Sequence, residues 1–200
     1  MYQSSKLFKL IKIVIDFSYI VFLFILALSF ITAIILLFSP ADTFIIQEDY
    51  PYKIANNQGE TPYISSTIET KYLNGSFSKF KRNPKSAMLI RTFFYSIPTA
   101  LFLVLGFYLL RKIIDDLFII SKRFKARQVK YLKIISIMVA FYFLFVDLIV
   151  QQVYSIWLGH TLINIRTMHF SGLLYAGLVY LLAEVFNYGV YLQESYDTTL

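Results

Sequence analysis

Two carboxylates inside long apolar stretches are the side chains best placed to do chemistry. Asp147 lies in "FYFLFVDLIVQQ", with Gln151 four residues later, and Glu184 lies in "LLAEVF". A charge near the middle of a membrane span costs at least about 2.5–3.5 kcal/mol, so Asp147 needs a role or a partner. Asp147 and Gln151 share a helix face and could line a path for a proton or an ion. The structural alternative is a protonated or hydrogen-bonded Asp147 that ties helices together.

Glu184 stands nearer one end of its apolar stretch. Its height along the helix favours Lys12, Arg111 or Lys133 as an ion-pair partner, and a glutamate that snorkels to the interface is the alternative. At about 1.5 Å per residue, Asp147 and Glu184 should differ by about 10 Å in depth. They are therefore not a pair of catalytic carboxylates.

The composition indicates an integral membrane protein. Of the 200 residues, 58% are hydrophobic and 16% are charged, and the mean hydropathy is +0.61. A soluble domain could not hide so much apolar surface. The net charge of +7 suits contact with anionic lipid head groups, and because the basic residues flank apolar stretches we expect no direct binding to nucleic acid.

Several classes of enzyme are excluded by what the sequence lacks. It has no cysteine, which removes thiolate catalysis and cysteine-based cofactor sites, and its two histidines argue against a multi-histidine metal site. No nucleotide-binding, hydrolase or metalloprotease motif is present. We expect a protein that is not an enzyme and that carries no cofactor and no metal.

Four apolar stretches predict an all-α membrane protein that forms one four-helix bundle over residues 1–200. The predicted transmembrane helices cover about residues 13–38, 87–110, 134–158 and 169–192, each long enough for a hydrocarbon core of about 30 Å. Pro98 predicts a kink one turn before it. Residues 41–86, polar and with short alternating pieces around Ile64 to Thr70, predict a small loop or β cap.

Charge predicts the orientation in the membrane. Basic residues cluster near the N-terminus and in the connection 111–133, where helical spacing predicts an interfacial helix with a turn. Because basic loops stay in the cytoplasm, both termini should face inward, with residues 41–86 outside and a cytoplasmic tail at 193–200.

Small or polar residues recur at spacings of three and four in the predicted spans and should face the bundle interior. In the third span they are Lys133, Ser136, Ala140, Asp147, Gln151 and Tyr154. In the fourth span they are His169, Ala176, Tyr180, Glu184, Asn187 and Tyr191.

The closing stretch "AEVFNYGVYLQESYDTTL" resembles the C-terminal signature of a bacterial membrane family, domain of unknown function 2975 (DUF2975). The matching positions are Glu184, Phe186, Gly189, Leu192, Gln193, Asp197 and Thr199. A weaker likeness lies in "FKARQVKYLKIISI", at Phe124, Gln128, Tyr131, Leu132 and Lys133. The resemblance implies four spans in a bacterial inner membrane and no established activity. Genes of that family are often paired with genes of small helix-turn-helix regulators, and the resemblance therefore suggests a regulatory role.

Two function classes remain open. The first is a regulatory or accessory subunit that binds a protein partner, either a membrane complex or a small cytoplasmic regulator. We expect the tail to dock on the basic connection and form the partner surface, which comprises Lys122, Arg123, Lys125, Arg127, Lys130, Gln193, Glu194 and Asp197. The second is a small transporter, channel or immunity-type protein that uses Asp147 and Gln151. Self-association is compatible with both.

Overall fold

The computed structural model describes residues 6–47, 53–56, 65–67, 83–119, 125–159 and 169–199. The long helices are α1 (Lys6–Phe38), α3 (Ile97–Ile119), α4 (Ala126–Leu158) and α5 (Ser171–Thr199), and a shorter α2 (Pro84–Arg91) precedes α3. Within these residues, four helical stretches are long and apolar enough to cross a membrane: Lys6–Phe38, Pro84–Leu117, Ala126–Leu158 and Ser171–Thr198. The expectation of a four-helix, multi-pass membrane protein is confirmed at this level.

The helices continue well beyond the apolar stretches. The end of α3 covers residues 111–119 and the start of α4 covers residues 126–133 of the basic connection. The position of these residues at the membrane interface stays a prediction. Lys122, Arg123 and Phe124 lie outside the described residues. The predicted tail is likewise the end of α5. Lysine, arginine, glutamine and glutamate are good helix formers, so the change from apolar to polar residues does not end a helix.

A π-helical turn, Thr92–Ser96, joins α2 to α3. The N–H of Ile97 donates to the carbonyl of Thr92, five residues back, immediately before Pro98. Because proline has no N–H and its ring crowds the preceding turn, the regular helical pattern cannot pass through this point. A π-helical turn therefore lies at the place where a kink is predicted, one turn before Pro98.

Three short strands lie between α1 and α2: β1 (Phe44–Gln47), β2 (Lys53–Asn56) and β3 (Ser65–Thr67). They form an antiparallel sheet in the order β1-β2-β3, with Ile45 opposite Ala55 and Ile54 opposite Ser66. Thr67 ends β3, whereas Ile64, Ile68 and Thr70 lie outside the described residues.

The chain divides into two compact units. The first comprises Met1–Leu26, Thr99–Leu144 and His169–Leu200, and the second comprises Ala27–Pro98 and Phe145–Met168. The first has a small apolar core made of Ile113, Leu132, Ile135 and Ala183. The second has a larger one made of Leu36, Phe44, Ala87, Met88, Val150, Tyr154 and Leu158.

Much of the apolar surface is exposed. Large aliphatic and aromatic side chains are solvent-accessible along nearly the whole of α1 and along most of α5, among them Ile13, Phe17, Ile20, Leu174, Leu178 and Leu181. Such extensive apolar surface is unstable in water and is compatible with lipid acyl chains.

Candidate functional site

Charged side chains join helices within the first unit. Between α1 and α3, Lys12 contacts Asp115, and the Nε of Arg111 lies 2.9 Å from Oδ1 of Asp16. The latter is an ion pair without hydrogen-bond alignment, since Asp16 Oδ1 accepts no hydrogen bond. Arg111 and Asp115 are one helical turn apart, with Nε 4.0 Å from Oδ2. The four groups form one network of alternating charge.

The second pair joins α3 to α4. Arg127 donates from Nε to Oδ2 of Asp116 at 3.0 Å, and its Nη2 contacts Oδ1 of the same carboxylate. Asp116 is only 8% exposed, so this two-pronged contact supplies the hydrogen bonds that its carboxylate loses on burial. Removing Arg127 would leave a nearly buried carboxylate without its partner.

The third pair joins α4 to α5 and contains the predicted carboxylate Glu184. Its Oε1 lies 2.8 Å from the Nζ of Lys133, and its Oε2 accepts a hydrogen bond from Asn187 at 3.3 Å. The Lys133 ammonium also lies 5.4 Å from the ring centre of Tyr180. Of the three partners predicted for Glu184, the structure selects Lys133.

The predicted partner surface is only partly brought together. Lys130, Glu194 and Asp197 are exposed, and Lys125 and Gln193 are half-buried. Arg127 is paired with Asp116. The residues of the predicted tail are the end of α5, which continues through Gly189 to Thr199, and their docking on the basic connection stays a prediction. A glycine inside a helix costs only about 1 kcal/mol, which the neighbouring helix formers offset.

Asp147 and Gln151 lie in the second unit, on the buried side of α4. Asp147 is half-buried and Gln151 is 1% exposed, and both interact with other groups of the protein. One turn further on, the hydroxyl of Tyr154 donates to the carbonyl of Ala87 at 2.7 Å. Val150 and Tyr154 belong to the apolar core. Protein atoms therefore enclose Gln151.

The inward face predicted for the third span is confirmed for the most part. Ser136, Gln151 and Tyr154 are buried, and Lys133, Ala140 and Asp147 are half-buried. Ser136 donates from Oγ to the carbonyl of Ala176 at 2.8 Å.

The face predicted for the fourth span is wrong at several positions. Only Ala176 of the predicted set is buried and Glu184 is half-buried, whereas His169, Tyr180, Asn187 and Tyr191 are exposed. The residues turned inward are Gly172, Ala176, Val179, Ala183, Phe186 and Val190. Most of this face lies one residue before the predicted one, and it consists of small and apolar residues.

The sequence pattern alone does not identify Asp16, Asp115 and Asp116 as structural residues. A usable signal was present, since Arg111 and Asp115 have the i, i+4 spacing of a helical ion pair. Gln128 was also missed as a core residue, and it is completely buried.

Comparison with known proteins finds no matching family model, no matching curated protein and no matching solved structure. Within the described ranges, no three histidine, aspartate or glutamate side chains form a group that could hold a metal ion.

Proposed function

We propose that the protein is a non-enzymatic regulatory or accessory subunit of a bacterial cytoplasmic membrane, related to the DUF2975 family. The observation that carries this proposal is the use of the charged residues in the helices. In the part of the chain that the structure describes, eight charged side chains form ion pairs between helices: Lys12, Asp16, Arg111, Asp115, Asp116, Arg127, Lys133 and Glu184. Such pairs fix how helices associate, and they leave these groups engaged in structure instead of in chemistry.

The proposed orientation places both termini in the cytoplasm and the three strands outside as a small cap. Its support is the basic character of the α1 start and of the α3 and α4 ends that flank residues 120–124. The native chain lacks cysteine, so single cysteines at Ser66 and Ser121 give a clean test with an impermeant thiol reagent in intact cells. We expect labelling at Ser66. Labelling at Ser121 alone contradicts the orientation.

The proposed partner surface combines charges of both signs. It includes Lys125, which immediately precedes α4, and Lys130 of α4 with Glu194 and Asp197 from the end of α5, all in the first unit. A surface of mixed charge is better suited to bind a protein of complementary charge pattern than to bind a uniformly anionic partner. This supports a cytoplasmic protein partner, either a small regulator or the inner face of a membrane complex.

A charge-reversal series tests this surface. Tagged protein carrying Lys130→Glu and Glu194→Lys should be present at normal abundance in native membranes but should no longer co-purify its partner. Lys6→Glu is the matched control, because Lys6 is also exposed in the first unit but lies on α1. If the double variant retains the partner, this surface is not the docking site.

The alternative function, a transporter, channel or immunity-type protein, is favoured by one observation. Asp147 is a half-buried carboxylate inside a membrane-crossing helix, one turn from Gln151. Against it stands the enclosure of Gln151 near Val150 and Tyr154 of the apolar core. Ion flux in proteoliposomes decides between the two functions.

A further inference from the structure

Lys112 is an exposed cation whose surroundings differ from those of the other basic residues near it. Lys12, Arg111, Arg127 and Lys133 each contact a carboxylate. The ammonium of Lys112 interacts with the phenols of Tyr108 and Tyr131, and Arg127 lies nearby. No ion pair joins Lys112 to any residue in the described part of the chain. Its charge is therefore available to an anion from outside.

An apolar strip leads along α3 to Lys112. Leu101, Leu105 and Tyr108 are 46%, 44% and 40% exposed, and with Lys112 they follow spacings of four, three and four residues. Residues at these spacings lie on one face of a helix. The strip from Leu101 to Lys112 is about 16 Å long, from about 1.5 Å of rise per residue. That length matches half of a hydrocarbon core of about 30 Å, which is one leaflet.

The aromatic ring next to the cation suits a membrane interface. The Lys112 ammonium lies 5.2 Å from the ring centre of Tyr108, whose ring centre lies 6.3 Å from that of Tyr19 on α1. Tyrosine is enriched where hydrocarbon meets head groups, because its ring is apolar and its hydroxyl is polar. Lys112 would then stand at head-group depth, with Leu101 and Leu105 in the acyl region.

We propose that this face of α3 binds an anionic phospholipid, with the phosphate on Lys112 and an acyl chain along Tyr108, Leu105 and Leu101. The charge of Lys112 selects an anionic head group, since the nearby Arg127 is already paired with Asp116. The apolar strip binds an acyl chain in addition to the phosphate, so the ligand is a lipid and not a free phosphate. The site depends on membrane insertion and is independent of any protein partner.

The test uses the purified full chain in phosphatidylcholine vesicles that contain either spin-labelled phosphatidylglycerol or spin-labelled phosphatidylcholine. The wild type should hold labelled phosphatidylglycerol several-fold more strongly than phosphatidylcholine at the protein surface. Lys112→Gln should lower that preference about fivefold, the factor expected for one basic residue near an anionic surface. Lys112→Arg should keep it. The control Lys9→Gln removes another exposed cation, from α1, and should have little effect.

Three results would overturn the proposal. One is an unchanged preference in Lys112→Gln. Another is an equal loss in Lys9→Gln, which would show a diffuse surface charge instead of a site. The third is displacement of the labelled lipid by soluble glycerol phosphate, which would show that the head group alone is bound. Because no partner protein is present in the vesicles, none of these results bears on the proposed regulatory function.

Discussion

Among the described residues, the two units illustrate two ways of holding polar groups among apolar helices. In the first, opposite charges meet between helices, as in Lys133 with Glu184 and Arg127 with Asp116. In the second, an uncharged hydroxyl, that of Tyr154, binds a backbone carbonyl inside an apolar cluster. The buried hydroxyl of Ser136 in the first unit, which donates to the carbonyl of Ala176, resembles Tyr154 in this respect.

This difference follows from the cost of burying charge. The members of the Lys133–Glu184 pair remain 36% and 40% exposed, so they keep part of their hydration. Tyr154 is 2% exposed, and a charged side chain at this position would lose far more hydration free energy than Lys133 or Glu184 does. The pair of Lys133 with Glu184 thus lies where the helix surface is still accessible, whereas the nearly buried Asp116 is stabilised by the two-pronged contact with Arg127.

The largest expected effect is a steric one in the first unit, at Gly172. A Cβ added there would overlap Cβ and Cγ of Phe143 on α4, and the N–H of His169 donates to the Phe143 carbonyl at 3.2 Å. Because Phe143 Cβ is fixed to its backbone, it cannot swing aside. Gly172→Ala should destabilise the protein by about 1–3 kcal/mol, measured by thermal unfolding in detergent.

Gly177 supplies the matched control on the same helix. A Cβ added to it would meet no atom within 4 Å. Gly177→Ala should therefore leave the unfolding temperature unchanged or raise it slightly, since alanine is the better helix former. Equal destabilisation by both substitutions would mean that the close contact between Gly172 and Phe143 does not hold these helices together.

The existence of the four long helices was predictable, but their lengths were not. An apolar stretch reveals which residues can lie in lipid, whereas a helix ends where its backbone hydrogen bonding ends. Lys6 to Lys12 continue α1 outward, and Gln193 to Thr199 continue α5. Such residues are compatible with helix and with loop, and polarity alone does not decide between them.

The inward face of α5 was mispredicted for a related reason. In water, polar residues mark the solvent-exposed face of a helix. In a membrane, lipid tails are as apolar as leucine, so hydrophobicity does not distinguish the lipid-facing side of a helix from the side that packs on other helices. Tyr180 and Tyr191 were placed inside because they are polar, yet both are exposed. Ala176 and Ala183 are buried instead, because small side chains let helices approach. On α4, where Ser136 and Gln151 do face inward, the same pattern worked.

A smaller effect is expected in the second unit from Tyr154→Phe. The substitution keeps the ring in the apolar cluster and removes only the hydrogen bond to the Ala87 carbonyl. The expected loss of stability is about 1 kcal/mol, the usual net value of one such bond. Thermal unfolding of Tyr191→Phe, which alters an exposed ring, provides the baseline. Equal unfolding temperatures for the two variants would show that the bond is not stabilising.

The ion pairs of the first unit should contribute still less, and in a way that depends on salt. A double-mutant cycle with Lys133→Gln and Glu184→Gln should give non-additive stabilities at low ionic strength, because each single substitution removes the same contact. The coupling should fall as salt is added, since both side chains are partly exposed. A coupling that does not respond to salt would place this pair with the buried contacts of the second unit.

The smallest effect is expected at Asp147, and it bears most directly on function. Asparagine has nearly the same shape as aspartate and can still accept a hydrogen bond through its carbonyl oxygen, but it cannot carry or release a proton. If Asp147 is structural, Asp147→Asn should fold and accumulate at wild-type levels. Proteoliposomes holding the wild type and the variant should also show the same ion and proton flux, at the level of protein-free vesicles. A wild-type flux that disappears in Asp147→Asn, with abundance unchanged, would show that this half-buried carboxylate works in transport. The polar groups of the second unit would then serve a pathway, and the regulatory proposal would give way to the transporter.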